Sequence, residues 1–286
     1  MNWKRFYMVL FAFAATSYAN AQANLLNAKK VDEIGVKSEA QIASEDDKPL
    51  PYGYISDRDV LWSKVVWEYV DLNQKINLPY YFPIDTTNAG LTRRSLFDTL
   101  LKGIKNGEIK EVYNDSYFTT KIGMDEVKLM TYNERQNGDY VDPYYVQSQD
   151  IRGYMLKGLW YFDKRQGELK YRLLALAPMG PDVQVMGVEE IDDKENVYEL
   201  FWVFFPDARE TLHNSKVFNP ENSAQPLSYD NLLNARRFNS TILREENIYG
   251  DRAISDYIRG NSLFQLLEAN RIKEGIRNRE MDMWNY

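Results

Sequence analysis

Two apolar, aromatic runs, Tyr154-Met155-Leu156-Lys157-Gly158-Leu159-Trp160-Tyr161-Phe162 and Leu169-Lys170-Tyr171-Arg172-Leu173-Leu174-Ala175-Leu176-Ala177, flank the polar stretch Asp163-Lys164-Arg165-Gln166-Gly167-Glu168. Strand-forming runs joined by a short polar connection that contains glycine read as a β-hairpin. Its second arm ends at Pro178-Met179-Gly180-Pro181. A further strand is predicted over Tyr198 to Phe205, which is apolar on both faces apart from Glu199 and therefore suited to a central place in a sheet. The acidic run Glu189-Glu190-Ile191-Asp192-Asp193-Lys194-Glu195 between them reads as a solvated loop.

Helical patterns lie on both sides of this β-rich middle. Ser56 is a candidate cap, Asp57 and Asp59 suit the positive first turn, and Val60, Leu61, Lys64, Val65, Trp67 and Glu68 follow at helical spacing, which predicts a helix from Ser56 to about Leu72. Pro79 and Pro83 bracket Tyr80-Tyr81-Phe82, predicted to be extended because proline breaks a helix and disfavours it one residue earlier. A second helix is expected from near Thr92, burying Leu96, Leu100, Leu101 and Ile104 and stopping at Asn106-Gly107, where glycine permits a left-handed cap. Pro206 to Pro226 reads as a loop. Helical spacing returns over Tyr229 to Phe238 and Ala253 to Trp284, with Ile254, Tyr257, Ile258, Phe264, Leu267, Ile272 and Ile276 as the apolar stripe and Gly260 and Gly275 as breaks or bends. Helices gathered at both ends around a central antiparallel β-sheet, rather than alternating with strands, specify an α+β fold. A single domain over residues 52–286 is expected.

The start of the chain carries its own signal. Lys4 and Arg5, the apolar run Phe6 to Ala15 and the small residues Ala19-Asn20-Ala21 form a secretory leader over residues 1–21, with cleavage before Gln22. That run is far below the ~20 apolar residues a membrane-spanning helix needs, so direct membrane insertion is not expected. Residues 22–51 are polar, poor in large apolar side chains and end in Asp46-Asp47-Lys48-Pro49-Leu50-Pro51, a flexible arm that cannot repay its own ordering entropy.

Composition narrows the chemistry. With 35 basic and 42 acidic residues the chain carries a net charge of −7, which argues against nucleic-acid partners. There is no cysteine, hence no disulfide, thiolate nucleophile or lipid-bearing cysteine, and attachment to a membrane has to go through a partner. The 21 Tyr, 13 Phe and 6 Trp serve either a core or an aromatic binding face. The one histidine, His213, falls in the predicted polar loop, and no serine sits in a Gly-x-Ser-x-Gly turn, so neither a hydrolase triad nor a two-histidine zinc site is framed. No glycine-rich phosphate loop and no EF-hand pattern occurs. No cofactor, metal or catalytic residue is therefore assigned. A glycan-binding or glycan-cleaving protein remains the alternative, because a glycosidase requires only two carboxylates, and Trp62, Trp67, Trp160 and Trp202 could stack on sugars if they do not pack inside.

Three stretches resemble the GldN family of gliding-motility and type IX secretion proteins, called PorN in non-gliding relatives. They are Ser56-Asp57-Arg58-Asp59-Val60-Leu61-Trp62-Ser63-Lys64-Val65-Val66-Trp67 with Asn77-Leu78-Pro79-Tyr80-Tyr81-Phe82-Pro83; Ile151-Arg152-Gly153-Tyr154 with Lys157, leading into Glu168 to Pro178; and Asn261-Ser262-Leu263-Phe264 with the closing Met281-Asp282-Met283-Trp284. The resemblance implies a periplasmic, non-enzymatic ring subunit that associates with itself, with an outer-membrane lipoprotein (GldK or PorK) and with the periplasmic part of the motor protein GldM or PorM. Heterologous contacts that repeat until a rotation closes would build such a ring. Candidate contact residues are Tyr80, Tyr81 and Phe82, the arm before Pro51, and the Arg-rich carboxy-terminal helices, in particular Arg236 and Arg237. Equally, all of these could pack within one subunit.

Overall fold

In a computed structural model the described residues are 48–84, 93–137, 140–186, 197–219 and 227–283. The elements run β1 (Val60–Asp71), α1 (Leu96–Lys105), β2 (Val112–Tyr113), α2 (Met124–Thr131), β3 (Tyr132–Asn137), β4 (Tyr140–Tyr145), β5 (Gly153–Asp163) and β6 (Glu168–Gly180). They continue with β7 (Tyr198–Glu199), β8 (Trp202–Phe204), α3 (Phe205–Asn214), β9 (Lys216–Val217), β10 (Leu227–Ser228), α4 (Tyr229–Asn234), β11 (Thr241–Glu245), α5 (Ile254–Tyr257) and α6 (Ser262–Met283). The main sheet has the order β11-β1-β5-β6-β8-β2, antiparallel throughout, with β7 pairing β6. This is the α+β architecture with a central antiparallel sheet that the sequence predicts. The β5–β6 hairpin closes through Asp163–Glu168 as expected.

The largest departure is β1. Residues 60–71 form a twelve-residue interior strand, not a helix, and Asp57–Asp59 make only a 3-10 turn. Val60, Val65, Val66 and Val70, with Trp62, Trp67 and Tyr69, prefer a pleated surface. Their periodicity is ambiguous between helix and strand, and continuous pairing with β5, from Val60 opposite Asp163 to Asp71 opposite Gly153, decides between them. Lys75–Tyr80 form a 3-10 helix that contains Pro79, so the aromatic stretch is not extended from its start. A single tight turn tolerates the fixed φ of proline. Buried Asn77 holds it, donating to the Asp71 and Asn239 carbonyls at 2.7 and 2.9 Å and accepting from the Asn239 amide at 2.9 Å.

Part of the predicted 206–226 loop is α3. Pro206 occupies its first turn, where the missing N–H is not needed, and Phe205, Ala208 and Leu212 are buried. His213 accordingly lies at the end of a helix and is buried. The strand predicted over Tyr198 to Phe205 is broken into β7 and β8, and Phe205 already belongs to α3. The first long helix starts after Ser95, whose hydroxyl accepts from the Asp98 amide at 3.2 Å, and ends at Asn106 with Gly107 at φ 72°. The helix expected over 229–238 stops at Asn234. Gly260, at φ 69°, separates α5 from α6 as predicted, whereas Gly275 continues α6 unbroken. The leader, the arm up to residue 47, Thr92 and the Glu189–Glu195 run lie outside the described residues.

Alternation along the strands sends neighbouring side chains to opposite faces. On one face Val70, Leu156, Leu176 and Val203 pack with Leu96, Leu100, Phe205, Leu212, Tyr229 and Leu232 of α1, α3 and α4. Further along, Val66 and Ile242 meet Ala269, Ile272 and Ile276 of α6. The other face gathers Trp67, Met155, Ala175, Ala177 and Trp202, with Tyr113 of β2 and Phe118 from the segment after it packed against them.

Candidate interaction surfaces

The residues that the sequence singles out separately meet in one place. Tyr80 is 1% exposed. Its ring lies 6.1 Å from Tyr229 and 6.4 Å from Phe238, and its hydroxyl donates to the Arg237 carbonyl at 3.4 Å. Burial pushes the Tyr80 phenol well above its ordinary pKa. Tyr81 is half-buried, donates to the Gln149 carbonyl at 3.3 Å and stands edge-on to Phe82 at 4.9 Å. Phe82 is 52% exposed.

Arg236 turns the chain after α4 with φ at 50°, in the left-handed region. Its guanidinium stacks 4.0 Å from the Tyr171 ring, 4.9 Å from Trp160 and 5.1 Å from Phe238, and Nη2 meets Glu68 Oε2 at 2.8 Å. Burial disfavours the Arg236 cation, but Glu68 and Tyr171 together outweigh it and raise its pKa. Arg237 is exposed. Of the five predicted contact residues, Tyr80 and Arg236 thus belong to the packing of the subunit, Tyr81 is shared, and Phe82 and Arg237 face solvent.

The end of the predicted arm is clamped to the fold. Arg209 on α3 forks onto Asp230 on α4, with Nε–Oδ1 2.7 Å and Nη2–Oδ2 3.1 Å, and donates to the Leu50 carbonyl at 2.7 Å. The Tyr52 ring lies between Arg209 at 4.2 Å and Arg172 at 4.4 Å, and its hydroxyl donates to Asn234 at 3.1 Å. Planar stacking and a two-point carboxylate contact are geometries that lysine does not reproduce.

Sequence periodicity places Phe264 and Leu267 in one apolar stripe with Ile272 and Ile276. The stripe that α6 buries is Ala269, Ile272 and Ile276 alone, while Leu263, Phe264, Leu266 and Leu267 are exposed at 62, 56, 46 and 53%. A signal was present: Leu267 and Ile276 are nine residues apart, which at about 100° per residue puts them on opposite sides of a helix. A second exposed apolar group comprises Leu129 on α2 with Tyr140, Val141 and Tyr145 on β4. Contiguous exposed apolar residues mark association surfaces.

Trp67 and Trp202 are buried in the core, and Trp160 stacks on Arg236 and Tyr171, so packing accounts for these indoles better than sugar binding does. Among the described residues no helix is long and apolar enough to cross a membrane, and no group of three or more His, Asp or Glu side chains is placed to hold a metal.

A family model described as gliding motility associated protein GldN matches residues 55–285. No curated protein matches the chain.

Proposed function

The chain belongs to the GldN family of gliding-motility associated proteins, and from that premise we propose that it is a non-enzymatic structural subunit of the type IX secretion and gliding machinery. It works in the periplasm, associates with copies of itself in a ring, and is held at the outer membrane by a lipoprotein of the GldK or PorK kind. The periplasmic part of a GldM- or PorM-like motor protein is its second partner. The residues 1–21 leader and the lack of a cysteine to carry a lipid support this placement. The observation that carries the reading is the apolar turn Leu263-Phe264-Leu266-Leu267, exposed on a helix whose buried stripe begins only at Ala269. Exposed apolar side chains grouped in this way mark a surface that a partner covers.

Purification of the native protein from envelopes tests this. Annular particles containing the protein and an outer-membrane lipoprotein are expected. A monodisperse monomer in envelope extracts, or turnover of peptidoglycan by the purified chain, would refute it. Within that assembly Phe82 and Arg237 are the surface remnants of the predicted contact segments, and Phe82→Ser with Arg237→Glu is expected to weaken particle formation without unfolding the subunit.

A further inference from the structure

Edge strand β11, β1, the segment 114–117 and the first turns of α6 enclose a groove of about 870 Å³. Trp67, Tyr117, Met155, Leu243, Leu263 and Leu266 supply its apolar lining. Arg244, on β11, lies across it with its guanidinium 4.2 Å above the Trp67 ring. The one hydrogen bond of the guanidinium among the described residues is a long contact from Nη2 to Ser116 Oγ at 3.4 Å, and it takes part in no ion pair there.

Behind Trp67 a second cation is caged. Lys157 Nζ stands 5.1, 5.0 and 5.1 Å from the rings of Trp67, Tyr117 and Phe118 and donates to the Ser116 carbonyl at 2.7 Å. Burial, and after it the charge of Arg244, lowers the pKa of Lys157. Three of the acids nearby, Asp115, Glu199 and Asp251, are already engaged, and Glu246 makes no ion pair with either cation among the described residues. Asp115 accepts from the Tyr117 amide and the Thr119 hydroxyl, Glu199 from the Trp202 indole at 2.8 Å, and Asp251 from the Asn247 amide and the Tyr117 hydroxyl. Trp67 Nε1, buried in the same wall, has no acceptor. An arginine stacked on an aromatic ring, with N–H groups left open, is arranged to fork onto a carboxylate.

Resting on the reading of the protein as an assembly subunit, we propose that this groove receives a segment of a partner polypeptide that presents an Asp or Glu carboxylate next to a large apolar side chain. The carboxylate forks onto Arg244, and the apolar side chain covers Leu243, Leu263 and Leu266. This assigns the exposed start of α6 to the apolar half of a two-part site.

A display library of random decapeptides, panned on the full chain and on its Arg244→Gln and Leu263→Ser, Leu266→Ser variants, tests the assignment. Wild type is expected to enrich peptides with Asp or Glu beside Leu, Ile or Phe. The enriched peptides should bind it at least about ten-fold more tightly than counterparts with Asn or Gln in place of the acid, since a charge-assisted fork is worth that much. Arg244→Gln should lose the preference for acid, and the double serine variant should lose binding of both kinds. No enrichment on wild type, or an acid preference that survives Arg244→Gln, overturns the proposal. A protein that enters annular particles normally yet selects no acidic peptides would remove the groove assignment and leave the subunit reading standing.

Discussion

The Arg236 guanidinium and the Glu68 carboxylate, 168 positions apart in the chain, meet at 2.8 Å across the face of β1. Glu68 is 1% exposed and accepts a second bond from the Ser240 hydroxyl at 2.6 Å. A carboxylate in an interior strand is thereby neutralised by a residue that the sequence offers as a surface contact.

Removing one partner of a buried pair strands the other charge. Arg236→Met is expected to cost about 3 kcal/mol, lowering Tm by about 10 °C in circular dichroism melts. Adding Glu68→Met should recover most of that loss, because both charges then leave together. Exposed Arg237→Glu should leave Tm within about 2 °C of wild type. Equal effects of Arg236→Met and Arg237→Glu would contradict the burial assigned here.

The apolar turn of α6 makes the opposite prediction. Phe264→Ser with Leu267→Ser removes side chains that the subunit does not bury, so Tm should move by no more than about 2 °C. The quantity expected to change is particle size, read by light scattering of the native complex. A large drop in Tm with unchanged assembly would place these residues in the core instead.

Gly158 is paired with Val66 on one side and Leu173 on the other, and a Cβ there would overlap the Tyr171 ring. Tyr171 packs against both Trp160 and Arg236, so moving it disturbs both contacts. Gly158→Ala is therefore expected to cost about 1–3 kcal/mol, as overpacking does. Gly53→Ala, with open space around it, should be neutral, and denaturant titrations of the two variants compare them.

Burial raises the phenol pKa of Tyr80, Tyr154, Tyr171 and Tyr229 well above the ordinary value. A phenol of this kind contributes its stability in full below the unfolded pKa of about 10 and loses it as pH rises towards the folded value. Stability should be insensitive to these groups between pH 6 and about 9 and fall steeply beyond about 10. Tyrosinate absorbance of the buried set should appear together with loss of ellipticity. Full ionisation while the fold persists would contradict the burial.

The sequence by itself determined those elements whose reasons are local. The β5–β6 hairpin follows from two apolar runs and a glycine-bearing polar turn, the end of α1 from Asn106-Gly107, and the α5–α6 break from Gly260. The family was legible for the same reason, in short patterns such as Asp57-Arg58-Asp59 with Trp62 and Trp67. Tertiary structure decided the rest. Residues 60–71 satisfy helical and strand spacing alike, and only pairing with β5 and β11, up to 179 positions away, makes them a strand. Tyr80 and Arg236 carry the composition of an interface, yet Phe238 packs against both and Glu68 pairs with the arginine, and these contacts hold them in the subunit. Phe264 and Leu267 carry the composition of a core, yet the stripe that α6 buries is Ala269, Ile272 and Ile276, and both stay exposed. Burial is a property of what lies opposite a side chain, and local sequence does not encode that neighbour.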